Sequence, residues 1–190
     1  MPLPRPVTTH DIERIAMETH TAPDPVGLAM DLVAAATHGG LANPGEDTGF
    51  ALQLAAELLQ AHGDLDAAEQ VARQAADTDS VDDKAYIISY HGELLLRLGR
   101  EKEGLERISE LKPLIWSQPI VACHVSDALV EAGYRETAEE WLAGMAAEAL
   151  GRRNALKSEG GLEYERAVAL SRDLLTVLHN LGFPDQNHDK

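Results

Sequence analysis

Any chemistry in this chain would have to come from its histidines, its one cysteine and its carboxylates, and spacing decides what each can do. The eight histidines stand at His10, His20, His38, His62, His91, His124, His179 and His188. There is no HExxH, and no pair has the helical spacing that would put two imidazoles on one face. His10-Asp11 is an HD dipeptide without the further ligands that metal-dependent hydrolases of that kind need, so it reads as part of a helix start. Cys123 has no basic neighbour in sequence to lower its thiol, which predicts an inert, buried or half-buried side chain rather than a nucleophile. No Ser-His-Asp order, phosphate loop or dinucleotide fingerprint is present; Gly39-Gly40 and Gly160-Gly161 read as helix stops. Arg152-Arg153 with Lys157 is the one basic cluster, expected to offset the carbonyl end of the preceding helix. These residues predict no catalytic centre, no cofactor and no metal site.

The elements that must hold these side chains are helices. Of the 190 residues 44% are hydrophobic, but only 4% are aromatic, and alanine and leucine dominate, a balance that favours closely packed helices over sheets. The expected class is all-α. A net charge of −16 repels phosphate backbones and anionic lipid, which argues against nucleic-acid and membrane partners and favours a basic or apolar one. A single cysteine excludes an internal disulfide framework and fits a reducing compartment, the cytoplasm. The first residues lack the apolar core of a signal peptide, and no stretch approaches the roughly 20 apolar residues of a membrane span. Alanine richness with arginine preferred over lysine points to a GC-rich bacterial source.

Along the chain, the prolines of residues 1–8 predict an extended arm. Thr8 with Asp11 reads as a capping pair for a helix to about Thr19, and Pro23-Asp24-Pro25 breaks the chain before a second helix to His38. These two helices, 9–40, are expected to cap the start of a helical stack. Asn43-Pro44-Gly45 reads as a turn, with helix after helix from Asp47.

Three segments then align on one another. Leu52, Ala56, Leu59, Gly63 and Ala68 recur as Ile88, Gly92, Leu95, Gly99 and Gly104, and again as Ala122, Ser126, Leu129, Gly133 and Ala138. The turn glycines are 36 and 34 residues apart, two extra residues falling in the Asp-rich joint near Asp82. Each column has a physical reason. A small residue midway along the first helix lets a partner helix approach, and the leucine one turn later fills the seam. The glycine accepts a positive φ and stops the helix. Apolar positions of the second helix (Ala72 and Ala75, Ile108 and Leu111, Leu142 and Met145) complete the inner face.

On these columns, residues 46–150 resemble three tandem tetratricopeptide repeats, at about 49–81, 85–117 and 119–150, with a period near the family's roughly 34 residues. The chain departs from the family where a bulky aromatic is usual (Leu52, Ile88, Ala122) and where a closing proline is usual (Ser80, Trp116, Leu150). The resemblance implies an α-α superhelix whose ends are covered by the helix pair at 9–40 and by a C-terminal helix over 160–183, before a tail at 184–190. It further implies a concave groove lined by the first helices. Carried over, its columns read Phe50, Tyr86 and Ile120; Gln53, Ser89 and Cys123; Leu54, Tyr90 and His124; and an acidic Glu57, Glu93 and Asp127. An acidic column is suited to Lys or Arg on a ligand. The Lys, Asn and Arg clamp with which some members hold acidic chaperone tails cannot be built from Gln53, Glu57, Tyr90, Ile120 and His124. The implied function is a non-catalytic adaptor binding a basic or apolar peptide or protein. Two alternatives are a helical metal enzyme or sensor that brings His91 and His124 together beside Glu93 and Asp127, and a structural homodimer joined through the C-terminal helix. Trp141 and Trp116 are expected to pack between repeats.

Overall fold

Thr8 starts the first helix as expected: its hydroxyl accepts from the Asp11 N–H at 3.2 Å, and the Asp11 carboxylate accepts from the Thr8 N–H at 3.1 Å, a reciprocal cap. The computed structural model describes residues 3, 5–18, 22–78, 84–114, 120–158, 160–180 and 182. Among these every regular element is an α-helix: α1 (Thr9–Glu18), α2 (Pro25–Thr37), α3 (Pro44–Ala61), α4 (Leu65–Ala76), α5 (Lys84–Arg97), α6 (Glu101–Ser109), α7 (Ile120–Glu131), α8 (Arg135–Leu156) and α9 (Gly161–Asn180). None of these helices is long and apolar enough to cross a membrane. The chain divides into two compact units, Met1–Leu111 and Lys112–Lys190.

In the first unit α1 and α2 each pack on α3, and α3, α4, α5 and α6 pack in sequence. Part of the predicted arm is bonded to the rest of the unit. Val7 is buried; its N–H donates to the Gly40 carbonyl and its own carbonyl accepts from Ala42, both at 2.8 Å, in a single parallel bridge to Leu41. The turn expected at Asn43-Pro44-Gly45 is instead the start of α3, because proline fits the first helical position, where its missing N–H costs no bond. In the second unit α8 packs along α9 and against α7. α8 does not stop at the repeat end expected near Leu150 but runs to Leu156, since Gly144 and Gly151 face open space and no left-handed residue intervenes.

One joint is built three times. Gly63, Gly99 and Gly133 have φ of 83°, 72° and 90°, the conformation a Cβ resists. Each N–H bonds three residues back, to Gln60, Leu96 and Val130, and the next residue's N–H bonds five back, to the carbonyls of Leu59, Leu95 and Leu129. These paired bonds satisfy carbonyls that a helix end leaves bare. The same next residues, Asp64, Arg100 and Tyr134, are the N-caps of α4, α6 and α8, and their carbonyls receive the N–H of Ala68, Gly104 and Ala138. The short stretch after each seam leucine therefore reverses the chain, and the small column sits one turn into the returning helix.

The aligned columns form the core. Leu52, Ile88 and Ala122, then Ala56 and Ser126, then Leu59, Leu95 and Leu129 are buried, as are Ala68 and Ala138 and the apolar positions from Ala72 to Met145. At Gly92 and Gly104 α5 and α6 approach closely: a Cβ on Gly104 would lie 3.1 Å from the Gly92 carbonyl oxygen and 2.8 Å from Leu96. The joint near Asp82 and the Trp116 position lie outside the described residues. On either side of that joint, the Lys84 ammonium donates to the carbonyls of Ala76 and Thr78 at the end of α4, a cation at a helix C-terminus.

Candidate functional site: the α3–α5 face

Residues one helical turn apart on α3 (Gln53, Glu57, Gln60) face residues one turn apart on α5 (Tyr86, Tyr90, Glu93, Arg97), and the two rows are bonded across. The Tyr86 hydroxyl donates to Glu57 Oε1 at 3.2 Å, and Gln53 Nε2 donates to the same oxygen at 3.1 Å. The Tyr90 hydroxyl donates to Gln60 Oε1 at 2.5 Å, and Gln60 Nε2 donates to Glu93 Oε1 at 3.4 Å. Arg97 Nε completes the row on Glu93 at 3.0 Å. Burial, followed by the charges of Glu57 and Glu93, pushes the Tyr90 phenol well up, so it keeps its proton and donates.

This arrangement corrects part of the predicted groove. Leu54 and Tyr90 are 2% and 4% exposed; they are packing residues, and neither offers an open surface to a ligand. Glu93 is also buried and already shares its charge with Arg97, so it is a tie within the helix row rather than a waiting acid. The accessible part of the face is Phe50, Glu57 and Gln60, all half-buried, with Tyr86 at 36% exposure and the Arg97 side chain at 40%. In the second unit His124 is half-buried and Asp127 exposed; the side chain of Ile120, at the first residue of α7, lies outside the described residues. Gln60 and Arg97 join the strip although no column singles them out; the Glu93–Arg97 spacing, four apart on one helix, is the available signal.

The other chemistry-bearing residues lie elsewhere. His91 does not sit beside Glu93: its Nε2 meets Glu69 Oε1 of α4 at 3.0 Å, with both side chains buried. Among the described residues no group of three or more His, Cys, Asp and Glu side chains is arranged to hold a metal ion. Burial, then the charges of Asp127 and Asp173, push the Cys123 thiol up, away from the thiolate a nucleophile needs. Arg153 lies in the last turn of α8, and Arg152 pairs with Glu148 at 3.1 Å. On α9, Ala167, Leu170, Ser171, Leu174 and Leu178 are buried and, among its described residues, only Leu162 is an exposed large apolar residue; its stripe is spent within its own unit. A cleft of about 350 Å³ lies between the arm (Leu3, Arg5, Val7) and α2 (Asp31, Ala34, Ala35) with its C-cap His38, and none of its lining residues belongs to the α3–α5 strip.

Compared with models of protein families, with curated proteins and with solved structures, the chain matches none.

Proposed function

We propose that this chain is a non-catalytic interaction module of the tetratricopeptide kind, and that its α3–α5 face takes a peptide or partner protein. The observation that carries this reading is the thrice-repeated joint at Gly63, Gly99 and Gly133 with the same small and leucine columns around it. A recurring joint of this kind supports reading the chain as a helical repeat, a class that uses its helices to present a binding surface. The accessible residues on the face include two aromatic rings, Phe50 and Tyr86, the carboxylate of Glu57, and the guanidinium of Arg97, whose charge is paired with Glu93. Aromatic rings give contact area, and the Glu57 carboxylate, bonded to the Tyr86 hydroxyl, favours a cationic or apolar segment over an acidic one. The net charge of −16 acts in the same direction at longer range and disfavours nucleic acid and anionic lipid. A reducing cytoplasm is the compartment this reading assumes.

Affinity capture from a native lysate tests the reading, with wild type, Tyr86→Ala and Glu57→Lys as baits. Both variants should keep the helical circular dichroism of the parent and lose the captured partner. If both capture the same protein as wild type in the same amount, this face is not the binding surface.

A further inference from the structure

Glu69 of α4 joins three helices through one oxygen. Its Oε1 lies 3.0 Å from His91 Nε2 on α5 and 3.2 Å from Arg100 Nη1 at the N-cap of α6. Arg100 continues to Glu103 through Nε at 2.9 Å and Nη2 at 2.6 Å. The His91 and Glu69 side chains are 4% and 6% exposed. The other ring nitrogen of His91, Nδ1, is buried with no hydrogen-bond partner among the described residues.

These contacts assign the proton. Glu69, paired with a guanidinium, is an anion and can only accept, so His91 Nε2 carries the hydrogen and Nδ1 is the bare nitrogen of a neutral imidazole. A second proton would have to go on Nδ1, creating a buried N–H with no acceptor and a buried charge. We propose that His91 is a proton-sensitive latch: its neutral ring holds α5 to α4 and to the α6 cap, and protonation releases it. The charged groups around the ring are Glu69 of α4 with Asp77 at its C-cap, and Glu103 and Arg107 of α6 with Arg100 at its N-cap; α3, also packed on α5, turns its Glu57 to Tyr86 instead. Burial is the largest influence and outweighs the hydrogen bond to Glu69, with Arg107 opposing the cation and Glu69 and Asp77 favouring it, so the ring is held below the ordinary imidazole value. Its neighbour Tyr90 is bonded to Gln60 of α3.

The unfolded ring takes its proton first, at its ordinary value of about 6.5. Latch stability is therefore full above that pH and falls as pH drops through it toward the lower folded value. His91→Gln keeps a donor for Glu69 and cannot titrate. Melting temperatures of the full chain at about pH 7.5 and about pH 5 should show wild type losing about 3 °C more than His91→Gln. In wild type, imidazole resonances assigned through their bonds to the backbone should show His91 titrating below the ordinary value. An equal loss of melting temperature in both proteins, or a His91 ring titrating at about 6.5 or above, overturns the latch. Should His91→Gln fail to fold, the ring titration in wild type decides alone.

Discussion

Gly104→Ala is the perturbation that most directly tests how the α5–α6 pair is built. In a helix interior, alanine is favoured over glycine by about 1 kcal/mol, so an isolated α6 would gain from the change. In the folded chain the new Cβ would stand 2.8 Å from Leu96 Cδ2, 2.9 Å from Leu96 Cγ and 3.1 Å from the Gly92 carbonyl oxygen. The Cγ is a branch point and the carbonyl is backbone, so a rotamer change of Leu96 cannot clear both. Overfilling a core in this way costs about 1–3 kcal/mol, and contact with backbone places this site in the upper part of that range. The expected net effect is a loss of about 1–2 kcal/mol, read as a lower urea midpoint at unchanged slope by far-ultraviolet circular dichroism. Gly144→Ala is the control: Gly144 is helical and exposed, and nothing lies within 4 Å of its Cβ position, so the propensity gain should appear unopposed as about 1 kcal/mol of added stability. A Gly104→Ala protein as stable as wild type would show that α5 and α6 do not approach to this distance, and the reason given for the small column would fall with it.

Gly133→Ala meets no neighbour within 4 Å but forces a side chain onto φ of 90°; it should cost about 1–2 kcal/mol in the same assay, and a neutral result would remove the left-handed joint. Asp64→Ala removes the oxygen that accepts the Ala67 N–H at 3.1 Å and should cost about 1 kcal/mol, whereas the same change at the third joint, Tyr134→Ala, removes no side-chain cap bond. The two hydrogen bonds from Thr8 hold the Asp11 carboxyl below the ordinary aspartate range. Its contribution to α1 is thus present near neutrality and lost as pH falls through that lowered value. Thr8→Val should return Asp11 towards the ordinary range in a carboxyl-detected titration; an unchanged value would mean the hydroxyl is not bonded there.

The helical class, the stops at Gly39, Gly63, Gly99 and Gly133, and the identity of the core columns are legible in the sequence because each arises from local requirements. Alternation of small and leucine residues at helical spacing marks a buried stripe, and a glycine after it marks where φ must turn positive. Asn43-Pro44 is ambiguous along the chain because proline serves a turn and a first helical residue equally well, and the choice depends on what α3 packs against. The end of α8 is equally hidden, since Gly151 carries no local stop and the helix continues against α9.

The acidic recurrence of Glu57, Glu93 and Asp127 is written in the chain, but its meaning is not. Glu57 remains partly open, Glu93 is buried on Gln60 and Arg97, and Asp127 is exposed, three fates for one column, since a column records helical phase and not what stands opposite. His91 and Glu69, separated by 22 positions, carry no mutual signal along the chain. Periodicity, propensity and turn chemistry act between near neighbours, so they set where helices run and which stripe is buried. Which polar groups lose water, and which partner each then needs, is decided only when α4, α5 and α6 close on one another.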